Sequence, residues 1–285
     1  MSNKKLRVVL LTHGGCEHVL RRLVALESVK VVGVFIETDV IRHTRLLEKI
    51  RRSIRYDGYW ATAGKFARKL ISSRRSLEVE AIESGRDAVC KVAEDHDVPV
   101  YLVNNFHMES SIALLRDVEA DLGVVLGTNI LKQSVFKVPK LGSINLHQGL
   151  APYYRGCPAV FWELFNDERE VGLTVHFVES KVDTGEIILQ RTVPLEYDYS
   201  YGLDFDQFIN DYRAGLVTRC AQLVADAVKA IAEGTAAPRP QDTSLGKRYR
   251  LPVKKQKDEM RRRLRQRRPF ADRRLSPQRA GEGRL

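Results

Sequence analysis

Cysteine is scarce and unpaired in this chain: Cys16, Cys90, Cys157 and Cys220 stand far apart, with no CxxC spacing. That argues against a disulfide framework or a zinc site and fits a reducing, cytoplasmic setting. No run approaches the ~20 apolar residues of a membrane-crossing helix, so no membrane partner is expected. The apolar stretch in the opening MSNKKLRVVLLTHGG is short for a secretory leader and reads better as a buried first strand. No internal repeat is visible. His13, His18, His43, His96, His107 and His176 have no partners at metal-ligand spacing, so no metal is expected. Of these, only His176, on an alternating stretch, is worth testing as a control.

Positive charge is present but segregated. The formal net charge is +11, yet residues 247–285 alone hold 16 Lys and Arg against 4 Asp and Glu. A second basic block, 41–75, holds 11 Lys and Arg against Glu48 and Asp57. Everything else is acidic on balance, so the charge says little about a catalytic body.

The apolar pattern is that of an α/β protein. LRVVLL (6–11), VKVVGVFIE (29–37), VPVYLV (98–103) and LGVVLG (122–127) are short apolar runs closed by turn residues, as buried parallel strands require. Helical spacing separates them, with Ser84 as a candidate N-cap for SGRDAVCKVAEDH. GSINLH (142–147), VGLTVHFVE and EIILQRTV (186–193) follow one another closely, so the sheet is expected to end mixed. A single long helical pattern runs from Gly202 to Gly234. The expectation is a Rossmann-like, mostly parallel sheet with helices on both faces. It would form a catalytic domain over 1–246, interrupted by a basic helical insertion at about 41–80. A basic tail, 247–285, would be partly helical and then disordered.

The chemistry concentrates in two segments, GSINLHQGLAPYYRG (142–156) and SKVDTGEIILQ (180–190). They offer an amide, Asn145, an imidazole, His147, and a carboxylate, Asp183. An amide can donate to a developing oxyanion, an imidazole can move a proton, and a carboxylate can orient the imidazole or favour its charged form. That set suits acyl transfer to an amine.

These segments, together with VVLGTNILKQSVF (124–136) and FWELFNDEREVGLTVHFVE (161–179), resemble the folate-dependent formyltransferase family in the right order. That family includes glycinamide ribonucleotide formyltransferase, the catalytic domain of methionyl-tRNA formyltransferase and nucleotide-sugar N-formyltransferases. The resemblance implies a transferase of one-carbon metabolism with 10-formyltetrahydrofolate as formyl donor. It places catalysis on Asn145, His147 and Asp183; His147, if protonated, would donate to the oxyanion too, and Asp183 would favour that imidazolium. It places the pterin end of the folate against Leu126, Gly127, Thr128, Asn129, Ile130 and Leu131. Gln148, Tyr154, Arg155 and Gly156 fall where the acceptor would bind.

Two departures from the family pattern stand out. The family commonly has Pro-Ser or Ala-Ser after the histidine, where this chain has Gln148-Gly149. The glycine-rich phosphate loop of the glycinamide ribonucleotide enzymes is replaced by Thr12-His13-Gly14-Gly15-Cys16-Glu17. Glu17 there would repel a phosphate, which argues against that acceptor. The leading expectation is therefore formylation of a primary amine on a small metabolite such as a nucleotide-linked amino sugar. The alternative is a methionyl-tRNA formyltransferase-like enzyme whose basic regions hold tRNA phosphates. It is less favoured because the residues after the long helix are too few and too charged for that enzyme's barrel domain. A folate hydrolase is disfavoured because the chain starts at the first strand, without that enzyme's regulatory domain.

Overall fold

The computed structural model of the chain describes residues 4–38, 55, 77–156 and 158–267. The insertion expected at 41–80 falls almost entirely outside the described residues, as does the expected disorder of 269–285.

A seven-stranded sheet forms the body, in the order β3-β2-β1-β4-β5-β7-β8. Its first five members are β1 (Leu6–Thr12), β2 (Val29–Glu37), β3 (Val100–Val103), β4 (Leu122–Leu126) and β5 (Ser143–His147). All of these pair in parallel. β7 (Glu170–Phe177) and β8 (Ile187–Pro194) then add antiparallel, giving the mixed edge expected. Between β5 and β7 the short strand β6 (Tyr154–Gly156) leaves the sheet and pairs in parallel with β9 (Lys247–Tyr249).

Alternation along β1 shows why both faces must be covered. Val8 and Leu10 enter one core, and Val9 and Leu11 enter the other. On the first face lie α1 (Glu17–Val24), α2 (Leu77–Asp95) and α7 (Val217–Ala232), through residues such as Leu20, Val92 and Val224. On the second lie α3 (Glu109–Asp117) and α4 (Gln133–Phe136), through Ile112, Leu115 and Phe136.

Two helix boundaries differ from the sequence expectation. Ser84 is not an N-cap, because α2 begins at Leu77 and runs through it. Gly85 inside that helix packs on the loop after β1, where Gly15 N donates to Gly85 O at 3.3 Å. The pattern from Gly202 to Gly234 divides into α6 (Phe205–Gly215), capped by Asp204, and α7, with buried Leu216 at the junction. Gly215, a weak helix former, marks the break.

A third core sits under α5 (Phe161–Phe165), α6 and α8 (Lys254–Arg267). Met260 and Leu264 of α8 are fully buried against it. Lys257 reaches Asp206 at 2.8 Å, and Arg263 donates to Phe165 O at 2.7 Å while lying 4.2 Å from the Phe165 ring. Residues 247–267 thus pack onto this core through β9 and α8. The apolar residues of α8 are sparse but fall on one face, enough to seat it on an aromatic cluster supplied by distant parts of the chain.

Glu163 of α5 is buried with no partner for Oε1. Burial pushes its carboxyl up to about 7, against the backbone hydrogen bonds it accepts. The folded state thus holds a proton that the unfolded chain releases near the ordinary carboxylate value. The stability this confers is complete at acid pH and lost as pH rises through about 7. Glu163→Gln is expected to raise Tm above that pH and to change it little in acid. Thermal melts across pH check this, and an unchanged pH dependence of Tm would sink it.

Candidate active site

Alternation also builds the site. Asn145 and His147 lie two residues apart on β5, so they share a face at the carboxyl end of the parallel strands. The antiparallel register sets His176 of β7 opposite Asn145, and Thr174 opposite His147. Asp183 comes from the turn between β7 and β8, held at φ 54° in the left-handed region that Asp tolerates better than most residues. Thr184 Oγ1 donates to Lys181 O at 3.1 Å within that turn.

The distances tie four side chains together. His147 Nδ1 stands 3.6 Å from Asp183 Oδ2, and His176 Nε2 stands 3.5 Å from Asp183 Oδ1. Asn145 Nδ2 is 3.4 Å from His176 Nε2. His176 Nδ1 donates to Phe177 O at 2.8 Å. His147 Nε2 donates to Tyr154 O at 2.6 Å, and Gly156 N donates to Asp183 Oδ2 at 2.8 Å. Strand β6 thereby holds both the imidazole and the carboxylate.

Electrostatics separate the two partners. Burial pushes the Asp183 carboxyl up, but His176, His147 and the Gly156 amide outweigh it and hold it at about 2. Burial lowers His147 below the ordinary imidazole value, and this outweighs the raising effects of Asp183 and the Tyr154 carbonyl. The resting site is a neutral imidazole beside an ionised carboxylate. The pull of Asp183 toward an imidazolium is outweighed because His147 is only 8% exposed.

A cavity of about 1080 Å³ opens on this group, lined by Asn145, His147, Asp183, the Gly14–Cys16 loop, Leu126–Thr128 and Ile130. Arg213, Arg248 and Arg250 lie on its wall, as does Arg55. Among the described residues no cluster of three or more His, Cys, Asp or Glu groups could hold a metal ion. No helix among them is long and apolar enough to cross a membrane.

A family model described as formyl transferase matches residues 66–203, a span containing Asn145, His147, His176 and Asp183. The family resemblance read from residues 124–190 agrees with that match. The chain is 34% identical over 154 residues to a methionyl-tRNA formyltransferase of Bacteroides fragilis, covering 54% of this chain and 45% of the relative. A methionyl-tRNA formyltransferase of Citrifermentans bemidjiense is 34% identical over 156 residues, covering 54% and 46%. The chain thus spans less than half the length of these curated relatives. Among solved structures, glycinamide ribonucleotide transformylase 1 from Symbiobacterium toebii superposes with a TM-score of 0.55 at 18% identity, over 85% of this chain and 96% of that one. A sugar N-formyltransferase from Shewanella sp. superposes with a TM-score of 0.51 at 15% identity, over 86% and 76%. At those identities the likeness is one of fold.

Within the matched span, some expected site residues lie away from the cavity. Leu126, Gly127, Thr128 and Ile130 line the cavity, but Leu131 is buried in the second core. Asn129 is not on the wall; its carbonyl accepts from Thr128 Oγ1 at 2.9 Å. Gln148 and Gly156 line the cavity. The Tyr154 carbonyl faces His147, while its ring turns away, stacks on Tyr249 at 5.2 Å and lines a separate cavity of about 500 Å³. Arg155 donates to Pro152 O, Thr243 O and Gly246 O, so it fixes backbone. Sequence reasoning missed Arg213, Arg248 and Arg250. Their only signal was basic composition in a stretch read as a helix and a tail.

Proposed function

We propose that the chain transfers a formyl group from 10-formyltetrahydrofolate to a primary amine on a small anionic metabolite, such as a nucleotide-linked amino sugar. The observation that carries this is the convergence of Asn145, His147 and Asp183 on one wall of a cavity roomy enough for two substrates. The Leu126–Ile130 wall, bent by Gly127 at φ 63°, suits the flat pterin end of the donor through its apolar side chains and strand-end backbone.

The amine attacks the formyl carbon, and charge grows on the formyl oxygen. Asn145 donates to that oxygen through the amide hydrogen not engaged by His176. The amine proton passes to His147 Nδ1. The imidazolium so formed lies between the Tyr154 carbonyl and the Asp183 carboxylate, both already in place. It then delivers the proton to the folate nitrogen as the carbon–nitrogen bond to the donor breaks. The products are a formamide and tetrahydrofolate, with atoms and charge balanced.

This reading fixes a pH profile. His147 must be neutral to accept the proton, and burial holds it below the ordinary imidazole value. Asp183 stays ionised down to about 2. The rate with saturating acceptor should therefore fall only as pH drops below the ordinary imidazole range. A limb at or above that range would contradict the assignment.

The deciding experiment is a screen of amine acceptors with 10-formyltetrahydrofolate, reading donor consumption by absorbance and product mass. A formamide formed on a phosphorylated small amine supports the reading; consumption without any formylated amine overturns it. The second reading, action on aminoacyl-tRNA, is favoured by the names of the curated relatives above. Formylation of charged tRNA with no turnover of small amines would establish it instead.

A further inference from the structure

We infer that Arg213, Arg248 and Arg250 form an anion clamp that holds a phosphate or diphosphate of the acceptor, at a place set by the segment after the matched domain. The inference rests on the proposed reading above and adds where the acceptor's charge is bound.

Arg248 and Arg250 lie beyond residues 66–203, yet their segment is fixed at each step. Arg248 is paired to Arg155 through the β6–β9 ladder. A side chain at Gly156 would meet Arg248 Cγ at 3.3 Å, so the arginine stem runs beside the residue whose amide binds Asp183. Tyr249 is locked by Tyr154 at 5.2 Å and Trp162 at 5.0 Å. Trp162 Nε1 donates to Arg250 O at 2.9 Å. Arg155 clamps the turn leading in, through Thr243 O and Gly246 O. α8 anchors the far end through buried Met260 and Leu264. Arg248, on β9, and Arg250, just past its end, line the same cavity.

Arg213 arrives from α6 and is aimed by Gln148, whose Oε1 accepts from Arg213 Nε at 2.8 Å. This gives the Gln148 departure a purpose. One guanidinium N–H is fixed by the amide, which leaves the outer nitrogens for a ligand. Asp183 is the sole carboxylate on the described cavity wall, so the field there is positive away from the reacting group. The loop after β1, by contrast, carries Glu17 in the first turn of α1, where a phosphate would otherwise sit. A backbone held by these contacts loses little further freedom on binding, which favours an exposed arginine pair.

Titration calorimetry of the full chain with inorganic pyrophosphate tests this without any turnover. Arg248→Ser and Arg250→Ser should each weaken binding by roughly ten- to a hundredfold. Gln148→Ala should weaken it less, and Arg262→Ser, on the exposed side of α8, should leave it unchanged. With a phosphorylated amine the arginine variants should raise KM and spare kcat. Equal pyrophosphate affinity in wild type and both variants would overturn the clamp, as would tRNA binding that depends on these arginines while pyrophosphate does not bind. Arginine-dependent pyrophosphate binding in a protein that formylates no amine would instead overturn the proposed function and leave the clamp standing.

Discussion

Replacing His147 with alanine should reduce formyl transfer by roughly 10²–10⁴-fold, the usual contribution of a placed acid–base group, with donor binding little changed. Asn145→Ala should cost about 10²–10³-fold, because one oxyanion donor is lost from a water-poor site. Asp183→Ala should fall in the same range, since it removes the charge beside the imidazolium and frees the Gly156 amide. The losses should not add, because all three groups act on one transition state. His176 touches Asn145 and Asp183 without facing a substrate atom in the proposed mechanism, so it is a positioning residue. His176→Asn should lower kcat moderately with KM unchanged, and His176→Ala more. Steady-state kinetics beside circular-dichroism melts separate catalysis from folding. Near-wild-type turnover in any two of the Asn145, His147 and Asp183 variants would defeat the mechanism.

The alternation of Asn145 and His147 was legible because strand parity is local: two residues apart on a strand is one face. The sheet was legible for the same reason, from apolar runs such as LGVVLG. What failed was parity at strand ends and contact over long range. Ile130 and Leu131 are neighbours, yet one lines the cavity and the other fills the core, and no pattern in a loop reveals which. Arg155 looked available for substrate because its acceptors, Thr243 O and Gly246 O, come from 88 and 91 residues away. The opposing of His176 and Asn145 depends on an antiparallel register that β7 adopts only after the chain has made α5. Lys247–Arg267 looked like a charged tail because its few apolar residues, Met260 and Leu264, are buried by aromatics from α5 and α6. Composition averages over faces; packing does not.

Gly149→Ser should nearly abolish activity, although serine is what the family pattern commonly carries after this histidine. A Cβ at Gly149 would overlap both His147 Nε2 and the Tyr154 carbonyl, the two atoms whose hydrogen bond fixes the imidazole. Gly149 cannot retreat freely, since its own carbonyl accepts from Thr174 Oγ1 at 2.7 Å on β7. Either the imidazole rotates off Tyr154 or β6 moves, and movement of β6 also draws the Gly156 amide from Asp183. A misplacement of about 1 Å in such a constellation can cost on the order of a hundredfold in rate. The effect should appear in kcat. Gly149→Ala, with no hydroxyl, should behave alike, since the overlap is at Cβ. Wild-type kcat in both variants would mean that the His147–Tyr154 contact does not set the reactive geometry.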